Sequence, residues 1–180
     1  MSETPADVIA FWREAGPERW FKKDTDFDEQ IRSRFLKLHE RAAAGELKDW
    51  ENSAKGTLAL LLLFDQFPRN MFRGTARAFA TDELARAIAA TALLKGFDAQ
   101  VAPDMRAFFY LPFEHSEDMT DQQRAIALYT AAGDQDGLKW AQIHADIIRR
   151  FGRFPHRNPM LGRTTTPDEQ RFLDEGGFAG

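Results

Sequence analysis

The block Phe64-Asp65-Gln66-Phe67-Pro68-Arg69-Asn70 returns later in the chain as Phe151-Gly152-Arg153-Phe154-Pro155-His156-Arg157-Asn158, with His156 inserted, and it constrains the fold more than any other feature of the sequence. Each copy follows an apolar helical run, Leu58 to Phe64 in one case and Ile143 to Phe151 in the other. Each precedes a glycine and a helix start, Gly74 before Thr81-Asp82-Glu83 and Gly162 before Thr166-Pro167-Asp168-Glu169. The interval between copies is longer than the roughly 20 to 50 residues of a solenoid repeat, so the pattern predicts two related multi-helix halves, meeting near residue 97, within one domain. Proline lacks the backbone donor and disfavours helical geometry in the residue before it. Phe-Pro is therefore expected to stop each helix, with Arg-Asn projecting from the loop that follows.

The rest of the chain is punctuated in the same helical manner. Thr4-Pro5 places a cap before a proline at the first helical position, Val8, Ile9, Phe11 and Trp12 form the apolar stripe, and Gly16 ends it. Asp26 or Asp28 is expected to begin a second helix through Ile31, Phe35 and Leu38 to Gly45. A third is expected from Ser53 to Gln66, and a fourth from Thr81-Asp82-Glu83 to Lys95-Gly96. A shorter one fits Pro103 to Tyr110, ended by Leu111-Pro112, and Thr120-Asp121-Gln122-Gln123 reads as a capping box opening a helix to Ala132. The next runs from Asp136 to Gly152, and Thr166-Pro167-Asp168-Glu169 starts the last, ended by Gly176-Gly177. No stretch alternates apolar and polar residues long enough for a strand, so the chain is expected to be all-α, with about eight helices in stacked antiparallel pairs. Only the tail, Phe178 to Gly180, reads as expendable.

With 180 residues, of which 43% are hydrophobic, the chain can bury roughly 70% of the surface its unfolded form exposes, enough for one substantial core. A net charge of −4 with scattered basic residues argues against a nucleic-acid partner, which calls for a basic face. There is no cysteine, so disulfides, thiolate metal sites and cysteine nucleophiles are excluded, and cytoplasmic residence is expected. Met1 to Ala15 mixes Glu3, Asp7, Arg13 and Glu14 into its apolar residues, unlike a secretory signal. Leu58 to Phe64 is far shorter than the roughly 20 residues that span a bilayer, so no membrane partner is expected.

Four polar clusters stand beside apolar sequence: Asp65-Gln66 with Arg69, Asn70 and Arg73; Glu114-His115-Ser116-Glu117-Asp118; His144 with Asp146; and Arg153 with His156-Arg157-Asn158. In the Phe-Pro blocks the arginines can bond free carbonyls at helix ends, and the asparagines can supply turns. Alternatively, a guanidinium beside an amide receives a carboxylate or phosphate, and seventeen arginines against seven lysines favour such fork-shaped pairing. His144 shares a helical face with Trp140, Ile147, Ile148 and Phe151, which reads as a core histidine, while Asp146 points elsewhere. The run Phe108-Phe109-Tyr110-Leu111-Pro112-Phe113 gives way abruptly to Glu114, His115, Ser116 and Glu117 at a predicted helix break. There a pocket can hold an acid and a base, or the segment is a capped turn. His115 and Glu117 with His144 or His156 would make a zinc-like set, but no His-x-x-x-His or His-Glu-x-x-His spacing is present, so no metal is expected. Gly-x-Ser-x-Gly, P-loop and Gly-x-Gly-x-x-Gly motifs are missing too, and no cofactor is implied.

At these same residues the sequence resembles a bacterial domain-of-unknown-function family placed in the tetratricopeptide-like helical superfamily. The matching blocks are Leu63 to Thr75, Ala78-Phe79-Ala80-Thr81-Asp82, Leu111-Pro112-Phe113-Glu114-His115-Ser116-Glu117 and Arg150 to Asn158, and the resemblance covers nearly the whole chain. It implies stacked antiparallel helices and no established reaction. The usual tetratricopeptide consensus at a period of about 34 residues is not discernible.

Two functions compete. One is a binding module that receives a peptide or anionic small molecule, with Asp65, Gln66, Arg69, Asn70, Arg73, His144, Arg153, Arg157 and Asn158 as contacts. The other is a hydrolase-type enzyme, with or without assistance from a metal, using His115 or His156 with Glu114 or Glu117. Binding is preferred because no recognised catalytic spacing is present.

Overall fold

A computed structural model describes residues 3–178, and among these every regular element is helical. The described residues divide into two compact units. The first takes in everything up to Arg73 together with Arg77–Pro112; the second is Gly74–Ala76 with everything from Phe113 onward.

The first unit contains α1 (Pro5–Ala15), α2 (Pro17–Trp20), α3 (Thr25–Ala43), α4 (Ala54–Leu61), α5 (Phe67–Met71) and α6 (Asp82–Leu94). Thr4 caps α1 as the sequence predicts, and a full capping box forms with Asp7. The core of this unit is aromatic. Trp12 stacks on Trp20 at 6.0 Å and on Phe27 at 5.9 Å, and Phe67 and Phe108 close on it at 5.5 and 5.9 Å. The run Leu58 to Phe64 is buried along its whole length, as expected of a central core helix. Gly56 is required beside it, because a Cβ there would collide with the Trp50 carbonyl.

The second unit contains α8 (Met119–Ala132), α9 (Gln135–Phe151) and α10 (Pro167–Asp174), and α7 (Leu111–Glu114) leads into it. Gly133, at φ 70°, turns the chain from α8 into α9, and the short connection folds the two into an antiparallel hairpin. Gly137 lets the hairpin close, since a Cβ there would strike the Tyr129 ring. Ile147, Ile148 and Phe154 form the centre of this unit's core, flanked by Met119, Ile143, Phe151, Phe172 and Phe178.

Several helix limits differ from the sequence expectation. α3 begins one turn earlier because Asp24, rather than Asp26 or Asp28, accepts from Phe27 N–H, while Asp28 is turned to hold Asn70 and Arg73. α8 is capped by Asp118, whose carboxylate reaches the N–H groups of Thr120 and Asp121, so no capping box forms at Thr120. Pro103–Phe109 is a 3-10 helix. The helix from Ser53 does not stop at Phe67-Pro68: a π-helical turn, Leu62–Gln66, carries it into α5. Phe178 is no loose end, since its ring packs 4.5 Å from that of His144; Ala179 and Gly180 lie outside the described residues.

Candidate functional site

The first Phe-Pro block is built around a missing donor. Pro68 has no N–H to give the Phe64 carbonyl, and Phe67 N–H reaches five residues back to Leu62, which widens the helix into a π turn. The carbonyls of Leu63, Phe64 and Asp65 are taken by side chains instead. His39 Nδ1 meets Leu63 O at 2.9 Å, Thr81 Oγ1 donates to Phe64 O at 2.6 Å, and Arg69 Nη1 donates to Asp65 O at 2.5 Å. Burial holds His39 below its ordinary value, so it sits there neutral with Nδ1 protonated.

The polar side chains of this block engage one another. Arg69 forks onto Asp82 with two bonds of 3.0 Å and lies 3.2 Å from Asp65, which also accepts from Gln66 Nε2. Burial opposes the Arg69 charge, but the Asp65 and Asp82 carboxylates outweigh it and hold the guanidinium above its ordinary value. Asn70 donates to Asp28 at 2.8 Å, and Arg73 forks onto the same carboxylate at 2.7 and 3.0 Å. Asp65, Gln66, Arg69, Asn70 and Arg73 thus come together in the first unit as a cross-linked set whose guanidinium charges already face carboxylates.

The second block is a true turn. Gly152, at φ 69°, ends α9, Phe154 is extended, and Pro155–Arg157 is a single 3-10 turn. Arg153 forks onto Glu169 at 2.6 and 2.9 Å and donates to Thr164 O. Glu169 also accepts from Asn158 Nδ2 at 3.2 Å and from Thr166 N–H at 2.8 Å. The Arg153 bond, acting against burial and aided by Thr166, lowers Glu169 to about 2. Glu117 is held similarly: it accepts two bonds from Arg163 and the Phe154 N–H at 2.8 Å. Burial raises Glu117, but the Arg163 and Phe154 bonds with the Arg163 and Arg157 charges prevail and lower it.

Within this frame sits the imidazole cluster. Glu114 Oε1 lies 3.1 Å from His144 Nδ1, and both side chains are almost wholly buried, at 4% and 7% exposure. His144 Nδ1 is also 2.8 Å from the Trp140 carbonyl, one turn back along α9. Two oxygens facing one nitrogen require Nδ1 to carry a proton, so in the neutral ring the lone pair is on Nε2. The rings of Phe154 and Phe178 pack at 5.4 and 4.5 Å from His144. His115 lies 6.4 Å away, and His156 packs on Phe154 at 5.8 Å and on Phe178 at 5.3 Å. The Arg157 guanidinium lies over Phe154 at 4.5 Å. Gln122 Nε2 fixes the approach to the cluster by donating to the carbonyls of Glu114 and Ser116, each at 2.7 Å.

Glu114, His115, His144 and His156 therefore gather in the second unit, whereas Glu117 is committed to Arg163. The pairing of Glu114 with His144, thirty positions apart in sequence, was not foreseen; the only signal for it was an acid at a helix break together with a histidine on the apolar face of α9. Among the described residues no group of three or more His, Asp or Glu side chains is placed to hold a metal ion, and no helix is long and apolar enough to cross a membrane.

Residues 8–177 match the family model described as bacterial protein of unknown function, DUF924. A solved structure described as that of a protein of unknown function, ATU0120, from Agrobacterium tumefaciens is similar over 96% of this chain and 97% of its own, with 51% identity and a TM-score of 0.92. No curated protein sequence matches. The chain belongs to the DUF924 family, in keeping with its resemblance to a bacterial family of unknown function.

Proposed function

We propose that this DUF924 protein is a helical binding module that receives a peptide or an anionic small molecule, with the cluster of Glu114, His115, His144, His156 and Arg157 as its recognition centre. The observation that carries this reading is the buried Glu114–His144 pair. The arginine braces hold permanent charges, and each ties two chain segments together. An imidazole differs, because it titrates near neutrality. Neutral, its Nε2 accepts a hydrogen bond; protonated, it donates one to an anion, with Glu114 stabilising the added charge. Asp65, Gln66, Arg69, Asn70, Arg73, Arg153 and Asn158 are read here as bracing, since their partners are carboxylates or each other. The α8–α9 hairpin supports the kinship with tetratricopeptide-like helix pairs.

The test is a thermal-shift screen of phosphate esters, dicarboxylates and peptides with free C-termini, run above and below the ordinary histidine pKa of about 6.5. An anion should stabilise wild type more at the lower pH and should lose that effect in His144→Gln. Equal stabilisation of the variant, or none of wild type at either pH, removes the reading.

A hydrolase-type enzyme is the second reading, and the same geometry favours it. With Nδ1–H directed at Glu114 and the Trp140 carbonyl, His144 Nε2 is oriented as a general base, an arrangement in which the carboxylate sets the tautomer. The pair would be Glu114–His144 rather than Glu117 with His115 or His156. No turnover in a substrate screen would exclude the enzyme, and turnover retained in full by His144→Gln would exclude the Glu114–His144 pair as its base.

A further inference from the structure

Beside α9 in the second unit lies an open cleft of about 330 Å³, lined by Ile143, Ile147 and Phe151 of α9, Phe172 of α10, and Gly177 and Phe178 beyond it. These walls are the partly exposed flank of the unit's core. Gly177 hugs the wall so closely that a Cβ would lie 2.5 Å from the Phe172 carbonyl oxygen. Two charged residues complete the rim, Asp146 and Arg150. Asp146 is engaged by Arg149. Arg150 is engaged by no carboxylate among the described residues; its guanidinium lies over the rings of Phe151 and Phe172, at 4.6 and 5.6 Å.

We infer that this cleft binds an amphipathic carboxylate, its apolar portion against Ile143, Ile147, Phe172 and Phe178 and its carboxylate on the Arg150 fork. The volume lies at the small end of ligand sites, which run from about 300 to 1,000 Å³, and suits a short acyl or aryl chain. The rim supplies the matching charge. A guanidinium held over two rings keeps donors for an anion, and a carboxylate can meet that fork with both oxygens while its singly charged head suits a chain laid against apolar walls. The position adds selectivity. Arg150 is in the last turn of α9, where the helix dipole disfavours a bare anion, so carboxylate binding depends on the arginine. The inference goes beyond the histidine cluster and shares only Phe178 with it, and Arg150, on which its test turns, is not part of that cluster, so its test can fail without that reading failing.

The experiment is isothermal titration of the full chain with sodium octanoate, octan-1-ol and octylamine, for wild type, Arg150→Gln and Arg150→Lys. Arg150 is exposed, so both variants should melt with wild type. Octanoate is expected to bind wild type one to one, with the alcohol and the amine at least tenfold weaker. Arg150→Gln should bring octanoate down to the alcohol's affinity, and Arg150→Lys should fall between. Any of four results overturns the inference: no octanoate binding to wild type, equal binding of octanol, octanoate affinity unchanged by Arg150→Gln, or a wild-type dimer in sedimentation that Arg150→Gln dissociates. The last would mean that a second copy covers the cleft.

Discussion

The two Phe-Pro blocks use the same residue types and adopt different backbones. Phe67 is helical before Pro68, at φ −60° and ψ −37°, the geometry that proline disfavours in its predecessor. Phe154 is extended before Pro155, at φ −87° and ψ 109°, the geometry that proline prefers. The second copy has Gly152 to leave its helix through a left-handed turn; at the aligned position of the first stands Asp65, which is buried and paired with Arg69. What permits a helix to run through proline is outside supply: His39, Thr81 and Arg69 take the carbonyls that the π turn leaves over. At Pro68 the helix continues because neighbouring side chains supply those donors.

The largest effect should be common to both blocks. Phe67 and Phe154 are each fully buried, so Phe67→Ala and Phe154→Ala should destabilise by about 3 to 5 kcal/mol through lost contact area and a residual cavity, read as urea midpoints by circular dichroism. An unchanged midpoint for either would mean that the block is anchored by something other than its phenylalanine.

Loss of the arginine should separate them. Arg69→Gln leaves Asp65 and Asp82 facing each other with an unmet carbonyl beside them, which should cost about 2 to 4 kcal/mol, somewhat below a fully buried pair because the arginine is 21% exposed. Arg153→Gln should cost less, since it faces one carboxylate that Asn158 and Thr166 continue to hold. Equal losses in the two variants would show that the π turn places no special demand on Arg69.

A smaller effect tests the glycine. Gly152→Ala forces a Cβ into the left-handed region and should cost about 1 to 2 kcal/mol, with Gly152→Asn milder. If alanine is tolerated without loss, the turn is not what distinguishes the second block.

The blocks should also separate in pH dependence, each having its own window. His39 lies below its ordinary 6.5 in the fold, so the unfolded chain binds the proton more readily; its contribution is complete above about 6.5 and declines as the pH falls through that value. Glu169 drops from 4.5 to about 2, so its contribution is complete above about 4.5 and is lost as the pH falls toward about 2. Urea midpoints against pH should therefore lose the upper window in His39→Gln and show a narrowed lower one in Arg153→Gln, where Thr166 and Asn158 still hold Glu169. One window affected alike by both variants would contradict this assignment.

Much of the fold was legible in the chain because helix signals are local. Thr4-Pro5 with Asp7, Thr166-Pro167 with Glu169, and the glycines after α1, α8 and α9 act over one turn, and a reader of the sequence has every partner in view. The candidate site was legible only as a list of chemically capable residues. Glu114 and His144 were each visible, as an acid at a helix break and a histidine on an apolar face, but their contact joins residues thirty positions apart, which no local signal encodes. The same reason governs Pro68. By itself it reads as a stop; His39 and Thr81, far away in sequence, supply the donors that make it a helical residue, and Asp82 gives Arg69 a partner that sequence spacing could not assign. The sequence by itself determined where helices start and end when the deciding hydrogen bond closes within a turn; the tertiary structure decided every case in which the donor or the countercharge comes from a distant segment.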